Sequence, residues 1–168
     1  MIQLRCTKKV QEFLGIKKSD LCEVSDSDSL LGSWYANVFI QDRRKVIIFM
    51  NEVTLLSFIF TGVKKSKSEG IIKAFPAGLE QLLRIEGFDN KIIAPIIQSN
   101  RMIELTATNN RSLLGNMNDL IFMYQTSISS DGGLSHCNTG EIIQRINRTP
   151  QRNIEWKDSI SATAALIG

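Results

Sequence analysis

Residues of the kinds that build catalytic and metal sites are scarce in this chain. Its 168 residues include one histidine and three cysteines. His136 and Cys137 are neighbours, so in an extended segment their side chains point apart and cannot act together as base and nucleophile. Cys6, Cys22 and Cys137 have no spacing typical of a zinc site or a disulfide framework, which indicates reduced thiols. The sequence therefore predicts no metal and no cofactor.

Long hydrophobic runs are also absent. The longest apolar segment, Val53 to Phe60, falls far short of the about 20 residues that span a bilayer. The N-terminal MIQLRCTKK has cations but no apolar stretch of signal-peptide length. We therefore expect a cytoplasmic protein without a membrane partner. No phosphate-binding loop, dinucleotide glycine pattern, zinc-protease motif or serine elbow occurs, which argues against those enzyme classes.

Length and composition favour one globular domain over residues 1–168. A hydrophobic content of 43% in 168 residues is enough for one sizeable hydrophobic core and too little for two cores of that size. The formal net charge of +3 permits contact with phosphate groups but does not require it.

Alternating apolar residues predict an α+β fold built on an antiparallel meander of three or more strands. In Leu30 to Glu52, apolar residues lie on both faces of two successive strands, so we expect short helices to cover the sheet at least partly on both faces. Trp34 falls on the face assigned to the interior. Val53 to Phe60 predicts the third strand, and Ile2 to Cys6 and Met102 to Thr108 predict two others.

Capping residues indicate where the first helices begin and end. Thr7 can cap a first helix that ends at Gly15. Ser66 to Glu69 has the spacing of a capping box, which predicts a second helix. Because Pro76 removes a backbone donor, we expect that helix to kink or to divide into two short helices.

The second half of the chain contains the clearest helical pattern. Asn110 can cap a helix in which apolar residues from Leu113 to Tyr124 recur with helical spacing and form one core face. Asp89 can cap a shorter helix before it. Thr139 to Pro150 predicts a further short helix, and Ser161 to Gly168 a last helical turn.

The hairpin tip, Asp42 to Lys45, has two interpretations. Arg43 and Arg44 disfavour the tight primed turns that select glycine or asparagine, so we expect a longer or bulged turn with a solvated end. Alternatively, Arg43 and Arg44 bind nucleic acid, because guanidinium groups match phosphate oxygens. The cations of RCTKK (Arg5 to Lys9) and VKKSK (Val63 to Lys67) would extend such a surface if folding gathered them.

A polar cluster interrupts the long C-terminal helix. Asn116, Asn118 and Asp119 follow Gly115, and all of them are poor helix formers because they offer the backbone competing hydrogen bonds or extra freedom. One interpretation is a solvated helix face.

The other interpretation of this cluster is a pocket. In it, Asn118 and Asp119 face a cavity together with Asn37 from the sheet. Asp119 then acts as the catalytic base, and Arg111 or Arg5 binds an anion.

Several motifs together resemble a family of small bacterial single-domain proteins of unknown function. The motifs, in chain order, are RCTKK (Arg5 to Lys9), LLGSWYAN (Leu30 to Asn37), DRRK (Asp42 to Lys45), NEVTL (Asn51 to Leu55), NRSLLGNMND (Asn110 to Asp119) and NRTP (Asn147 to Pro150). The resemblance covers roughly Met1 to Pro150. It implies a bacterial origin and a self-contained domain, and it implies no activity.

Three functions remain open on the sequence. The first is a non-enzymatic binding module for a protein or nucleic-acid partner, with the binding residues Arg5, Asn37, Arg43, Arg44, Arg111, Asn118 and Asp119. The second is a small enzyme with Asp119 as its base. The third is an assembly protein that forms a homodimer through an exposed apolar strand face.

Overall fold

In the computed structural model, which describes residues 1–62 and 68–168, these residues form five strands and six α-helices. The strands are β1 (Ile2–Cys6), β2 (Trp34–Gln41), β3 (Arg44–Asn51), β4 (Ser57–Phe60) and β5 (Ile103–Ala107). The helices are α1 (Lys8–Leu14), α2 (Ser68–Ile85), α3 (Asn90–Ser99), α4 (Arg111–Ser130), α5 (Thr139–Asn147) and α6 (Ser159–Ile167). The VKKSK segment and the first residues of the expected capping box lie outside the described residues.

The sheet is mixed, with the strand order β4-β3-β2-β1-β5. β2, β3 and β4 form the predicted antiparallel meander, whereas β1 pairs in parallel with both β2 and β5. The α+β class is therefore confirmed, and the purely antiparallel sheet was wrong. α1 connects β1 to β2, and a helical crossover of this kind joins parallel strands.

The turn between β2 and β3 is tighter than the sequence predicts. Gln41 pairs with Arg44, so Asp42 and Arg43 alone form the turn, with φ values of 50° and 64°. These positive angles are typical of primed two-residue turns. The expected longer or bulged turn was therefore wrong. The Asp42 carboxylate accepts a hydrogen bond of 2.7 Å from the Leu134 N–H, which ties the turn to the segment after α4.

Helices α1, α2 and α3 cover one face of the sheet. Trp34 is fully buried there, and its ring lies 5.1 Å from the ring of Phe75 and 6.0 Å from that of Phe58. The interior position of Trp34 is thus confirmed. The apolar helix residues packed on this face include Val10, Leu14, Ile71, Leu79, Ile93 and Ile96.

Helices α4 and α5 cover the opposite face. Their buried residues there are Met117, Leu120, Tyr124, Ile128, Ile142 and Ile146, and they pack against strand residues that include Tyr35, Ile48 and Met50. Helices therefore cover most of the apolar strand residues on both faces of the sheet.

Three predicted helix starts are confirmed by their caps. The side chains of Thr7, Asp89 and Asn110 accept hydrogen bonds from backbone N–H groups in the first turns of α1, α3 and α4. Gly15 ends α1 in the left-handed conformation, with φ of 64°. Local side-chain chemistry thus sets these boundaries.

Two other expectations need correction. α2 continues through Pro76 rather than dividing there, because burial of its apolar face outweighs the lost backbone hydrogen bond. The third strand begins at Ser57 rather than Val53, since Asn51 to Leu56 form the turn that precedes it. In the described part of the chain, no helix combines the length and hydropathy needed to cross a membrane.

Candidate functional site

β2 is longer than its parallel neighbour β1, and part of its edge is therefore unpaired. β1 ends at Cys6 opposite Ala36, and the Thr7 N–H makes a last main-chain hydrogen bond of 3.1 Å to the Ala36 carbonyl. The chain then turns into α1. Alternate residues of a strand direct their backbone groups to the same side, so Val38 and Ile40 face the edge that β1 has left.

The chain's own side chains satisfy two of the four backbone groups on this edge. The Val38 N–H donates to Asn37 Oδ1 over 2.8 Å, and the Ile40 carbonyl accepts a hydrogen bond of 3.2 Å from Gln125 Nε2. The Val38 carbonyl and the Ile40 N–H have no hydrogen-bond partner among the described residues. One donor and one acceptor are therefore open to a ligand.

These open backbone groups lie in a groove of about 780 Å³ between α1 and α4, which we call the β2-edge groove. Its volume is within the range typical of ligand sites, about 300–1,000 Å³. Its lining comprises Lys9, Glu12, Phe13, Asn37, Val38, Phe39, Ile40, Lys45, Asn118, Ile121 and Gln125. The groove lies beyond the carboxyl end of β1, where α1 covers one face of the sheet and α4 the other. Open sheets commonly bind ligands at such positions.

The two outer edges of the sheet are also partly occupied. At β4, the buried Asn147 amide bonds both backbone groups of Ser57, with distances of 2.9 Å and 2.7 Å. At β5, the Cys22 N–H donates to the Leu105 carbonyl over 2.8 Å. The cleft beside β4 measures about 150 Å³, roughly a fifth of the β2-edge groove. The β2-edge groove is therefore the roomier of these two clefts at strand edges.

The walls of the β2-edge groove differ in charge. Lys9 and Glu12 of α1 and Lys45 of β3 line one side, and the Lys45 ammonium lies 5.8 Å from the centre of the Phe13 ring. A cation at this distance is held by the negative face of the ring. Asn118 and other uncharged residues of α4 line the other side.

The predicted pocket residues are only partly brought together. Asn37 and Asn118 both line the β2-edge groove, whereas Asp119 and Arg111 are exposed and lie outside its lining. Asn116 accepts a hydrogen bond from Asn153 on another side of α4. Positions 116, 118 and 119 thus point in different directions, as the 3.6-residue helical repeat requires.

Arg5 lies in a buried polar cluster instead of on a binding surface. Its guanidinium is 3.2 Å from a Glu52 carboxylate oxygen and 3.1 Å from Asn109 Oδ1. The same group lies 5.7 Å from the centre of the Tyr35 ring, and the Tyr35 hydroxyl also donates to Asn109 over 3.0 Å. Because its charge is buried, Arg5 depends on these partners, and the loss of one of them would leave the guanidinium poorly compensated.

The other predicted binding residues lie at the hairpin tip. Arg43 and Arg44 are exposed, next to Lys45. They do not form one patch with Arg5, because Arg5 is buried. Lys9 of the RCTKK motif and Lys45 beside the hairpin tip both line the β2-edge groove.

The cysteines and the single histidine differ in burial. Burial raises the pKa of the Cys6 thiol to about 12, so this group is not a thiolate near neutral pH. Cys137 is partly buried, with its thiol 4.0 Å from the Leu134 carbonyl oxygen, and His136 is exposed. Over residues 1–62 and 68–168, no three His, Cys, Asp or Glu side chains are grouped to hold a metal ion.

The sequence analysis overlooked Phe13, Ile40 and Gln125 as groove residues. Phe13 fits the helical pattern of a core residue, and Gln125 follows the apolar stripe of α4 without any special spacing. The sequence did contain one signal for an unpaired strand edge, because the apolar segment Ile2 to Cys6 is shorter than the strand that starts at Trp34. Unequal neighbouring strands leave part of an edge unpaired.

Comparison with known proteins places the chain in a family of unknown function, which is the coarser part of the resemblance. No curated protein and no solved structure matches the chain. A family model described as Domain of unknown function (DUF6933) matches residues 3–162, which is nearly the whole sequence. The chain therefore belongs to the DUF6933 family.

Proposed function

We propose that this protein is a binding module that takes an extended segment of a partner protein into the β2-edge groove, as an added strand beside β2. The observation that carries this proposal is the open Val38 carbonyl and Ile40 N–H, which lie inside the groove. A strand that joins a sheet edge gains affinity from main-chain hydrogen bonds and specificity from alternate side chains.

The lining of the groove supports this class of ligand. Phe13, Val38 and Phe39 supply apolar surface, while Asn37 and Asn118 supply amide groups. Exposed aromatic platforms on which nucleic-acid bases stack are not part of this lining, since Phe39 is buried and Phe13 lies under Lys45. A protein segment is therefore favoured over nucleic acid.

The proposal is tested by selecting random displayed peptides of about ten residues, the length of a long strand, on the wild-type protein. The selected peptides are then measured against Ile40→Pro and Ile40→Val. Ile40 is 57% exposed and its N–H points away from β3, so proline at this position removes one open donor and is tolerated as at other strand edges.

We expect Ile40→Pro to weaken binding by about tenfold or more, and Ile40→Val to leave it nearly unchanged. Circular dichroism and the melting temperature of both variants establish that they are folded. The absence of any enriched peptide, or equal binding by folded Ile40→Pro, would contradict strand addition at this edge.

A further inference from the structure

The charges along the β2-edge groove identify the kind of segment that fits it. Lys9 and Lys45 lie on the α1 side of the groove. Within the described residues, neither lysine has a carboxylate oxygen within ion-pair distance. The two positive charges are therefore available to a ligand.

The two lysines occupy different levels along β2. The Thr7 hydroxyl donates to Asn37 Oδ1 over 2.9 Å, so α1, with Lys9 in its first turn, starts beside Asn37. Lys45 pairs with Ile40 in the sheet register, three residues farther along β2. In an extended chain, side chains on one face repeat every second residue, at about 7 Å. Three residues of an extended chain span about 10 Å, which is longer than this repeat, so the two lysines face different side chains along one added strand.

We infer that the segment bound in the β2-edge groove is acidic, with two separate carboxylate side chains that face Lys9 and Lys45. This inference rests on the proposed strand addition at β2. Glu12 lies on the same wall, one helical turn after Lys9. Because like charges repel, Glu12 disfavours a continuous run of acidic residues and so favours a pair. The opposite wall offers Asn118, which suits an uncharged polar side chain at an alternate position.

The test repeats the peptide selection on a charge-reversed protein, Lys9→Glu with Lys45→Glu. The matched control is Lys17→Glu with Lys18→Glu, two exposed lysines that are not part of the groove lining and whose replacement changes the net charge equally. Wild type and control are expected to enrich peptides that carry Asp or Glu at two separated positions. The charge-reversed protein is expected to enrich Lys or Arg there and to bind the wild-type peptides on the order of tenfold more weakly.

The outcomes separate this inference from the proposed function. If the enriched peptides depend on the Ile40 N–H but lack the acidic pair, or if charge reversal leaves their sequences unchanged, the acidic specificity is overturned while strand addition stands. If acidic peptides bind equally to Ile40→Pro, the charge pattern stands and strand addition fails. Tighter binding of mixed-sequence single-stranded DNA than of any peptide, at the same salt concentration, would overturn both.

Discussion

The side-chain amide of Gln125 donates a hydrogen bond of 3.2 Å to the backbone carbonyl of Ile40, 85 residues earlier in the chain. This amide lies where the N–H of a neighbouring strand would lie. The β2 edge is therefore partly occupied by the protein's own helix α4, and a segment that joins the edge has to displace Gln125.

Removing this side chain should make the edge easier to join. We predict that Gln125→Ala tightens binding of a wild-type-selected peptide by about fivefold, since a hydrogen bond of this kind contributes roughly 1 kcal/mol. Isothermal titration calorimetry measures the change. Thr126→Ala, at the exposed neighbouring position on α4, is the control and should bind as wild type does. Weaker binding by Gln125→Ala than by the control would mean that Gln125 itself contacts the ligand.

The hairpin turn stores strain at Arg43. Its φ of 64° is unfavourable for a residue with a side chain, and glycine adopts such angles readily. We predict that Arg43→Gly raises the free energy of unfolding by roughly 0.5–1 kcal/mol, as measured by urea denaturation. Arg44→Gly, one residue later within β3, should instead lower it. A loss of stability in Arg43→Gly would indicate that the Arg43 side chain holds the turn.

The contacts around Arg5 predict that Arg5 and Glu52 are coupled in their contributions to the free energy of unfolding. Glu52→Gln keeps the shape of the side chain but leaves the buried guanidinium without its counter-charge. Because the Glu52 side chain is about a quarter exposed, we expect a loss of about 2–3 kcal/mol, below the range for fully buried pairs.

The double variant Arg5→Met with Glu52→Gln should recover part of that loss, because no buried charge remains. Urea denaturation of both single variants and the double variant gives the coupling energy. Additive losses would show that Arg5 and Glu52 contribute independently.

Glu86 predicts a pH dependence of stability. Burial raises the pKa of its carboxyl group, and the nearby Asp158 adds to this effect, while Arg148 at 2.6 Å lowers the pKa in part. The Glu86 side chain is only 1% exposed, and its Oε1 has no hydrogen-bond partner among the described residues. The folded state thus binds a proton more tightly at Glu86 than the unfolded state does.

Stability therefore falls as the pH rises from the unfolded pKa of Glu86, near 4.5, through its higher folded pKa. We predict that Glu86→Gln removes this loss, so that the variant gains stability relative to wild type across that window. Melting temperatures of both proteins between pH 4 and pH 7, about the interval in which a raised glutamate titrates, measure the difference. A constant difference at all pH values would contradict a raised pKa.

The sequence predicted those elements whose boundaries depend on nearby residues. Thr7, Asp89 and Asn110 each bond the first turn of their own helix, so the signal and the structure are a few residues apart. Strand partners are different. Leu4 pairs with Leu105, and no local pattern identifies a partner about a hundred residues away, so both strands were predicted but their parallel pairing was missed.

The same difference between local and long-range signals applies to the candidate site. The poor helix-forming character of Asn118 was visible in the sequence, and Asn118 does line a groove together with Asn37. Asp119 was grouped with Asn118 because it is adjacent, but adjacent helical residues differ by about 100° in direction, and Asp119 lies outside the groove lining. The open edge at Ile40 depends on where β1 ends beside β2. This is a feature of the tertiary structure that the local sequence does not show.

The most direct test of strand addition is the amide hydrogen exchange of Ile40, followed by NMR with and without a saturating wild-type-selected peptide. The account predicts that peptide binding slows exchange at Ile40 by about tenfold or more, because the open N–H becomes hydrogen-bonded, while Ile48 in the interior of the sheet keeps its rate. Unchanged exchange at Ile40 while the peptide is bound would show that the ligand does not pair with β2.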